Sequence, residues 1–208
     1  MKKKEFVDKI RLNVQQIDKT AKFHPKFVEM VISSCYNEIL VQTYTKDLYD
    51  LGLFTKKYGD DGTPIAIVQN TNTLEWYSII PEEIVPLPDL NSGVREILSL
   101  QSNSLVFAPM KSSEIKLIEG LECQEIDDVI GYTVYNGRIV YTGMTSDIAS
   151  AGVVLSLIIP LHAYDDDDIV YFPKGQERTL TDLVLAELGV IQPKDLVNNN
   201  SDVKQVRQ

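Results

Sequence analysis

Histidine and cysteine are scarce in this chain: two of each in 208 residues, with a single tryptophan. Two isolated cysteines, Cys35 and Cys123, supply neither a disulfide framework nor a zinc ligand set. Cys35 falls on an apolar helical stripe, where a buried free thiol is expected and a reducing compartment fits. The glycine loops that cradle phosphates, Gly-x-x-x-x-Gly-Lys and Gly-x-Gly-x-x-Gly, do not occur, nor does the nucleophile elbow Gly-x-Ser-x-Gly. Long apolar runs are missing too. The longest, Val153 to Leu161, is too short for a membrane span and is interrupted by Ser156 and Pro160. The N-terminal stretch has no apolar signal core, so synthesis in the cytosol is expected. Basic excess is also lacking. Lys and Arg number 20 against 30 Asp and Glu, a formal charge of −10. Such a chain repels polyphosphate at long range and has no electrostatic footprint for tight nucleic-acid binding.

What is present suits a folded protein able to bury a sizeable core without metals or disulfides. Hydrophobic residues make up 44% and charged residues 24%. Phe6, Ile10, Val14 and Ile17 recur at helical spacing and predict a helix from residue 3 to about 18. Lys2, Lys3 and Lys4 read as its solvated start. Pro25 suits the first turn of a second helix, whose stripe is Val28, Val31, Ile32, Cys35, Ile39 and Leu40. From Leu53 the period changes to two. Strands are expected at 65–68, 74–80, 94–100, 153–161 and 168–172, with Gly59-Asp60-Asp61-Gly62 as a hairpin turn. Asn136-Gly137 marks a two-residue hairpin that pairs Val134 with Ile139 and Tyr132 with Tyr141 on the core face. Arg138, Thr133 and Tyr135 then point to the opposite face. A final helix is expected over 175–188, with Leu180, Leu183, Val184 and Leu188 apolar and Gly189 just past its end.

Strands do not alternate with helices, so a parallel α/β sheet is not the expectation. The predicted class is α+β. A helical hairpin spans 1–52. An antiparallel β-sandwich or barrel body spans 53–173, with a short helix near 113–119. A C-terminal helix spans 174–191 and an extended tail 192–208.

Asp165, Asp166, Asp167 and Asp168 form the most conspicuous run. Calcium needs spaced oxygen ligands and a turn glycine, which this run lacks. A solvated loop or an interface with a basic partner is the expectation, and no metal ligand is assigned. Asp60-Asp61-Gly62-Thr63 has the composition of a phosphatase nucleophile loop. Such a loop follows a buried apolar strand, whereas Thr55-Lys56-Lys57-Tyr58 precedes this one. His162 stands near the acidic run, yet no nucleophile sits in a recognisable setting beside it. No catalytic residue and no cofactor are therefore assigned. The polar tail cannot fix itself by burial. A neighbouring chain would order it, with Val197, Val203 and Val206 as anchors and Arg207 beside them.

Two stretches carry a resemblance. Tyr164-Asp165-Asp166-Asp167-Asp168-Ile169 with Phe172-Pro173-Lys174-Gly175-Gln176-Glu177, followed by an amphipathic helix, is similar to the C-terminal part of virion neck proteins of crAss-like and related phages of Bacteroidetes. Gly93-Val-Arg-Glu-Ile97 and Phe107-Ala-Pro-Met-Lys-Ser-Ser-Glu114 resemble their middle region. The layout also resembles head-to-tail adaptors of short-tailed phages. The resemblance implies a virion protein, non-enzymatic, forming a ring of about twelve copies between portal protein and tail rings. DNA would pass through the lumen without specific binding, and no membrane would be involved. Two other readings stay open. One is a different binding module, such as a tail, baseplate or chaperone-like adaptor. The other is a metal-assisted enzyme built around His162 and the Asp165–Asp168 run.

Overall fold

The computed structural model describes residues 1–17, 23–46, 55–87, 92–102, 105–111, 114, 129–172 and 175–190. Apart from Glu114, the expected helix near 113–119 lies outside the described residues, as do Cys123 and the tail 192–208. The chain divides into two compact units: the described parts of 1–48 with 160–208, and those of 49–159. Residues 160–172, expected in the β-rich body, thus belong with the helices.

The helical unit holds α1 (Lys3–Ile17), α2 (Pro25–Lys46), a 3-10 turn (Leu161–Ala163) and α4 (Glu177–Glu187). The apolar stripes expected from the sequence are inside: Phe6, Ile10 and Val14 on α1, and Val28, Val31, Ile32, Cys35, Ile39 and Leu40 on α2. Burial pushes the Cys35 thiol up to about 11, helped by the charges of Glu187 and Glu38. Tyr36, next to Cys35 on α2, is fully buried. Its ring contacts Phe6 and Phe172 at centroid distances of 6.0 and 5.7 Å, and Phe6 meets Phe172 at 5.3 Å. The Tyr36 hydroxyl stays satisfied by donating to the Tyr171 carbonyl at 2.9 Å.

The ends of these helices follow the local chemistry. Before Pro25, the His24 carbonyl accepts from the Phe27 and Val28 amides, and His24 Nδ1 accepts from the Lys26 amide at 3.3 Å. His24 is thereby a helix cap. At the end of α4, Gly189 takes φ +71°. Its amide donates to the Ala186 carbonyl while the Val190 amide reaches Leu185, the paired bonds that a left-handed residue after a helix allows. The buried face of α4 is Leu180, Thr181, Val184 and Leu185. It is turned slightly from the expected stripe, leaving Leu183 and Leu188 half-buried.

The other unit is built from strands β1 (Lys56–Tyr58), β2 (Val68–Gln69), β3 (Trp76–Ile79), β4 (Val94–Ser99), β5 (Val106–Pro109), β6 (Val129–Tyr135), β7 (Arg138–Thr142) and β8 (Val153–Leu157), with a short helix α3 (Ser146–Ala151). They form a three-stranded sheet, β1-β8-β4, and a five-stranded sheet, β2-β3-β7-β6-β5. Neither closes into a barrel among the described residues. The molecule is α+β with a leading helix pair, as the sequence pattern indicates. The expectation of wholly antiparallel pairing fails at one place: β5 and β6 run parallel. Residues 110–128 lie between them, enough chain for the crossover that parallel pairing requires.

The hairpin of β6 and β7 forms in the register read from Asn136-Gly137, with Val134 opposite Ile139 and Tyr132 opposite Tyr141. Both turn residues have positive φ, 49° and 71°. Ile139, Tyr132 and Tyr141 are buried. The Tyr141 hydroxyl hydrogen-bonds Ser78 at 2.8 Å.

Two expected features change. Gly59-Asp60-Asp61-Gly62 does not reverse the chain into a hairpin. β1 pairs with Leu155–Leu157 of β8, and Ile65 then exchanges hydrogen bonds of 2.9 and 3.0 Å with Val153 further along the same strand. Residues 59–64 therefore loop out of one strand path. Gly59 allows this with φ +87°, its backbone lying so close that a Cβ would meet the Val153 carbonyl at 2.9 Å. Secondly, 168–172 is not a strand. It makes a single bridge, Ile169 to Lys2, because the N-terminal segment ends its pairing there.

Candidate functional site

The acidic run sits on a loop of the helical unit. It follows the 3-10 turn, which Pro160 precedes with an extended backbone. The loop closes on itself: the Asp168 amide donates to the Asp165 carbonyl, and the Asp165 amide to Asp168 Oδ2, both at 3.0 Å. Consequently Asp168 is half-buried while Asp165, Asp166 and Asp167 are exposed.

The N-terminal residues are strapped across this loop. The Lys3 amide donates to the Asp168 carbonyl at 2.9 Å, the Lys4 amide to Asp166 at 3.2 Å, and the Val170 amide to Met1 at 2.9 Å. Lys2 Nζ lies 2.7 Å from Asp167 Oδ1. The hydrogen bond from Lys2, and next its charge, hold the Asp167 carboxyl below the usual range, and the same pair raises the Lys2 ammonium. Both side chains are solvent-exposed, so water and salt screen the attraction. Lys3 is the departure from the solvated cluster expected at this end. Its side chain is buried and Nζ donates to the Tyr164 carbonyl at 2.7 Å and to that of His162 at 3.5 Å, with Glu29 at 4.0 Å. A basic group does meet the acidic run, and it comes from the chain itself. Asp165, Asp166 and the outer part of Asp167 still face solvent.

His162 lines a groove of about 490 Å³ with Lys26, Glu29, Met30, Ser33, Ser34 and Asn37 of α2. Ser33 Oγ stands 3.5 Å from His162 Nδ1, at the far limit of a hydrogen bond. Lys3 ties the His162 carbonyl to the scaffold, so the arrangement reads as structural polarity around a helix contact. Among the described residues no group of three or more His, Cys, Asp and Glu side chains could hold a metal ion. No helix is long and apolar enough to cross a membrane among those residues. Val197, Val203, Val206 and Arg207 lie outside the described residues.

The sheet unit carries a second candidate surface. Cross-strand partners share a face. In the five-stranded sheet Trp76, Ser78, Ile139, Tyr141, Tyr132 and Phe107 therefore mark the inner side. The outer side presents Val68, Tyr77 and Val140 in one cross-strand row with Thr133, and Ile79 beside Arg138 and Tyr135 in the next. Ile79 is 62% exposed, Tyr135 66%, Val106 56% and Val68 43%. The Arg138 guanidinium lies over the Tyr77 ring, 4.8 Å from its centroid. No carboxylate stands at a strand position of this face. The turn residues had already sent Thr133, Tyr135 and Arg138 outward in the sequence. Tyr77, Ile79 and Val68 were missed, because nothing local says which strands flank a hairpin.

Comparison with known proteins adds no identity: no protein-family model matches this chain, and no curated protein sequence matches it.

Proposed function

We propose that this chain is a non-enzymatic, ring-forming subunit of a phage virion neck, joining portal to tail and letting DNA pass through the ring's lumen. The observation that carries the reading is the outer face of the five-stranded sheet, where Ile79, Tyr135, Val68 and Val106 are exposed among the described residues. Valine, isoleucine and tyrosine stand there in contiguous cross-strand rows around a single arginine. Such faces mark association surfaces, since tyrosine and arginine bury well and lose little freedom on contact. The formal charge of −10 suits a lumen that does not grip passing phosphates. The resemblance of residues 93–114 and 164–177 to neck proteins supplies the setting. Asp165, Asp166 and Asp167 then face a basic neighbour in the neck, and the tail 192–208 clips onto an adjoining ring.

The expected assembly is a closed ring of about twelve copies in mass photometry. Deleting residues 192–208 is expected to leave the melting temperature unchanged and to weaken assembly in light scattering. A monomer or trimer for the intact chain contradicts the ring, as does a collapsed melting temperature with unaltered assembly in the truncated one.

A further inference from the structure

We infer that the free chain parks its own C-terminal segment, residues 192–208, in the groove between α2 and the 3-10 turn, with Asn198–Asn200 against Asn37. The inference goes beyond the ring reading and does not need it; in a ring, the segment leaves this groove when it clips onto the adjoining ring. The groove, of about 490 Å³, is lined by α2 and by His162 of the turn. Its lining residue Asn37 has a buried side-chain oxygen, Oδ1, with no hydrogen-bond partner among the described residues. A buried acceptor left so is costly, and an N–H or O–H donor relieves it. Ser33, one turn earlier on the same face, is buried and polar too. The groove therefore suits an occupant rich in donors rather than an apolar one.

Residues 192–208 have that chemistry. Carboxamides crowd the segment: Gln192, Asn198, Asn199, Asn200, Gln205 and Gln208. Each brings N–H donors. Lys194, Lys204 and Arg207 outnumber Asp195 and Asp202, so the segment is basic within an acidic chain. The exposed Asp165 and Asp166 follow closely on the turn that walls the groove, and they favour a basic occupant. Reach agrees. α4 ends at Glu187 and packs on α2, the Glu187 charge acting on Cys35. Cys35 stands two positions from both Ser33 and Asn37, hence on the opposite side of the helix. Passing halfway round a helix about 10–12 Å across takes about 17 Å, or about five to six extended residues. Counted from Val190, that brings the asparagine run to Asn37. Tethering makes the encounter intramolecular, so a weak contact suffices. Hydrogen bonds at a groove open to water add little to global stability, so loss of the segment leaves the melting temperature where it was.

Disulfide trapping in the full chain tests this. Cys123→Ser removes a competing thiol, and Cys35 is buried. Asn199→Cys is then paired with Ser34→Cys, exposed in the groove, or with Gln42→Cys, exposed on the Cys35 side where the segment sets out. A segment that sweeps freely meets Gln42 at least as often as Ser34. The expected result under mild oxidation is a disulfide within one chain that forms about tenfold or more faster at Ser34 than at Gln42. Asn37→Leu should remove that advantage, while Asn37→Asp, which keeps the acceptor, should retain it. Asn198→Ala with Asn200→Ala should also remove it, without touching α2. Thermal melts confirm that each variant is folded. Equal rates at the two positions overturn the inference, as does an advantage that survives both Asn37→Leu and the alanine pair. Disulfides that link separate chains on a non-reducing gel overturn it too and leave the ring reading standing. A wild-type chain that stays monomeric in mass photometry overturns the ring reading alone.

Discussion

Lys3 shows how far a single residue departs from what composition suggests. A lysine in an N-terminal basic cluster is expected to point into solvent. Here its stem is buried and its ammonium serves two backbone carbonyls, those of Tyr164 and His162. Lys3→Met keeps the apolar stem and removes the donor. The Tyr164 carbonyl is then left without its short 2.7 Å bond. A loss of about 1.5–3 kcal/mol in denaturant unfolding is expected, the range for bonds to charged groups. A variant as stable as wild type would mean that water replaces the ammonium. Lys2 behaves differently, since its pair with Asp167 is exposed. The sequence offered no means of telling the two lysines apart. Which one turns inward depends on the carbonyls that the 3-10 turn presents, and those are set by tertiary structure.

At the scale of elements, the terminal strap and the loop after β1 carry the testable content. Asp167 titrates below its ordinary value in the folded chain, so its contribution to the strap is present above the usual aspartate range and is lost as pH falls through the depressed value. Lys2 is raised, so its contribution is present below the usual lysine range and is lost as pH rises through the raised value. The strap should therefore be tightest between those ranges. Protection factors of the Lys3 and Lys4 amides, corrected for intrinsic exchange, should fall at the acid end before the helices melt. Protection that persists unchanged down to about pH 2 would remove the Lys2–Asp167 pair from the account.

Gly59→Ala tests the loop. It sets a Cβ against the Val153 carbonyl at 2.9 Å and forces φ +87° on a residue that resists it. A loss of about 1–3 kcal/mol is expected. A neutral outcome would mean that β1 and Ile65 do not share β8. Legibility follows the same line. The Asn136-Gly137 hairpin and helices α1, α2 and α4 could be read because their signals are local: a turn needing positive φ, and apolar spacing with caps. The looped-out strand at 59–64 and the parallel pairing of β5 with β6 could not. Both depend on which distant strand a segment meets, and glycine-rich turn signals look alike in a hairpin and in a bulge.

For the whole molecule the governing quantities are charge and uncovered surface. Composition gave the first directly, and it set the expectation that nucleic acid passes rather than binds. The second needed the sheet order, because Tyr77 and Ile79 join Arg138 and Tyr135 only once β3 is placed beside β7. The acidic run, the strongest candidate in the sequence, is half engaged by the chain's own N-terminus. The sheet face, which no motif announces, carries more of the functional argument. The most direct test is an image of the purified intact chain. Negative-stain electron microscopy should show closed rings of about twelve subunits with an open centre. Particles no larger than a single chain at every concentration and salt would contradict the proposal that this protein works by closing on copies of itself.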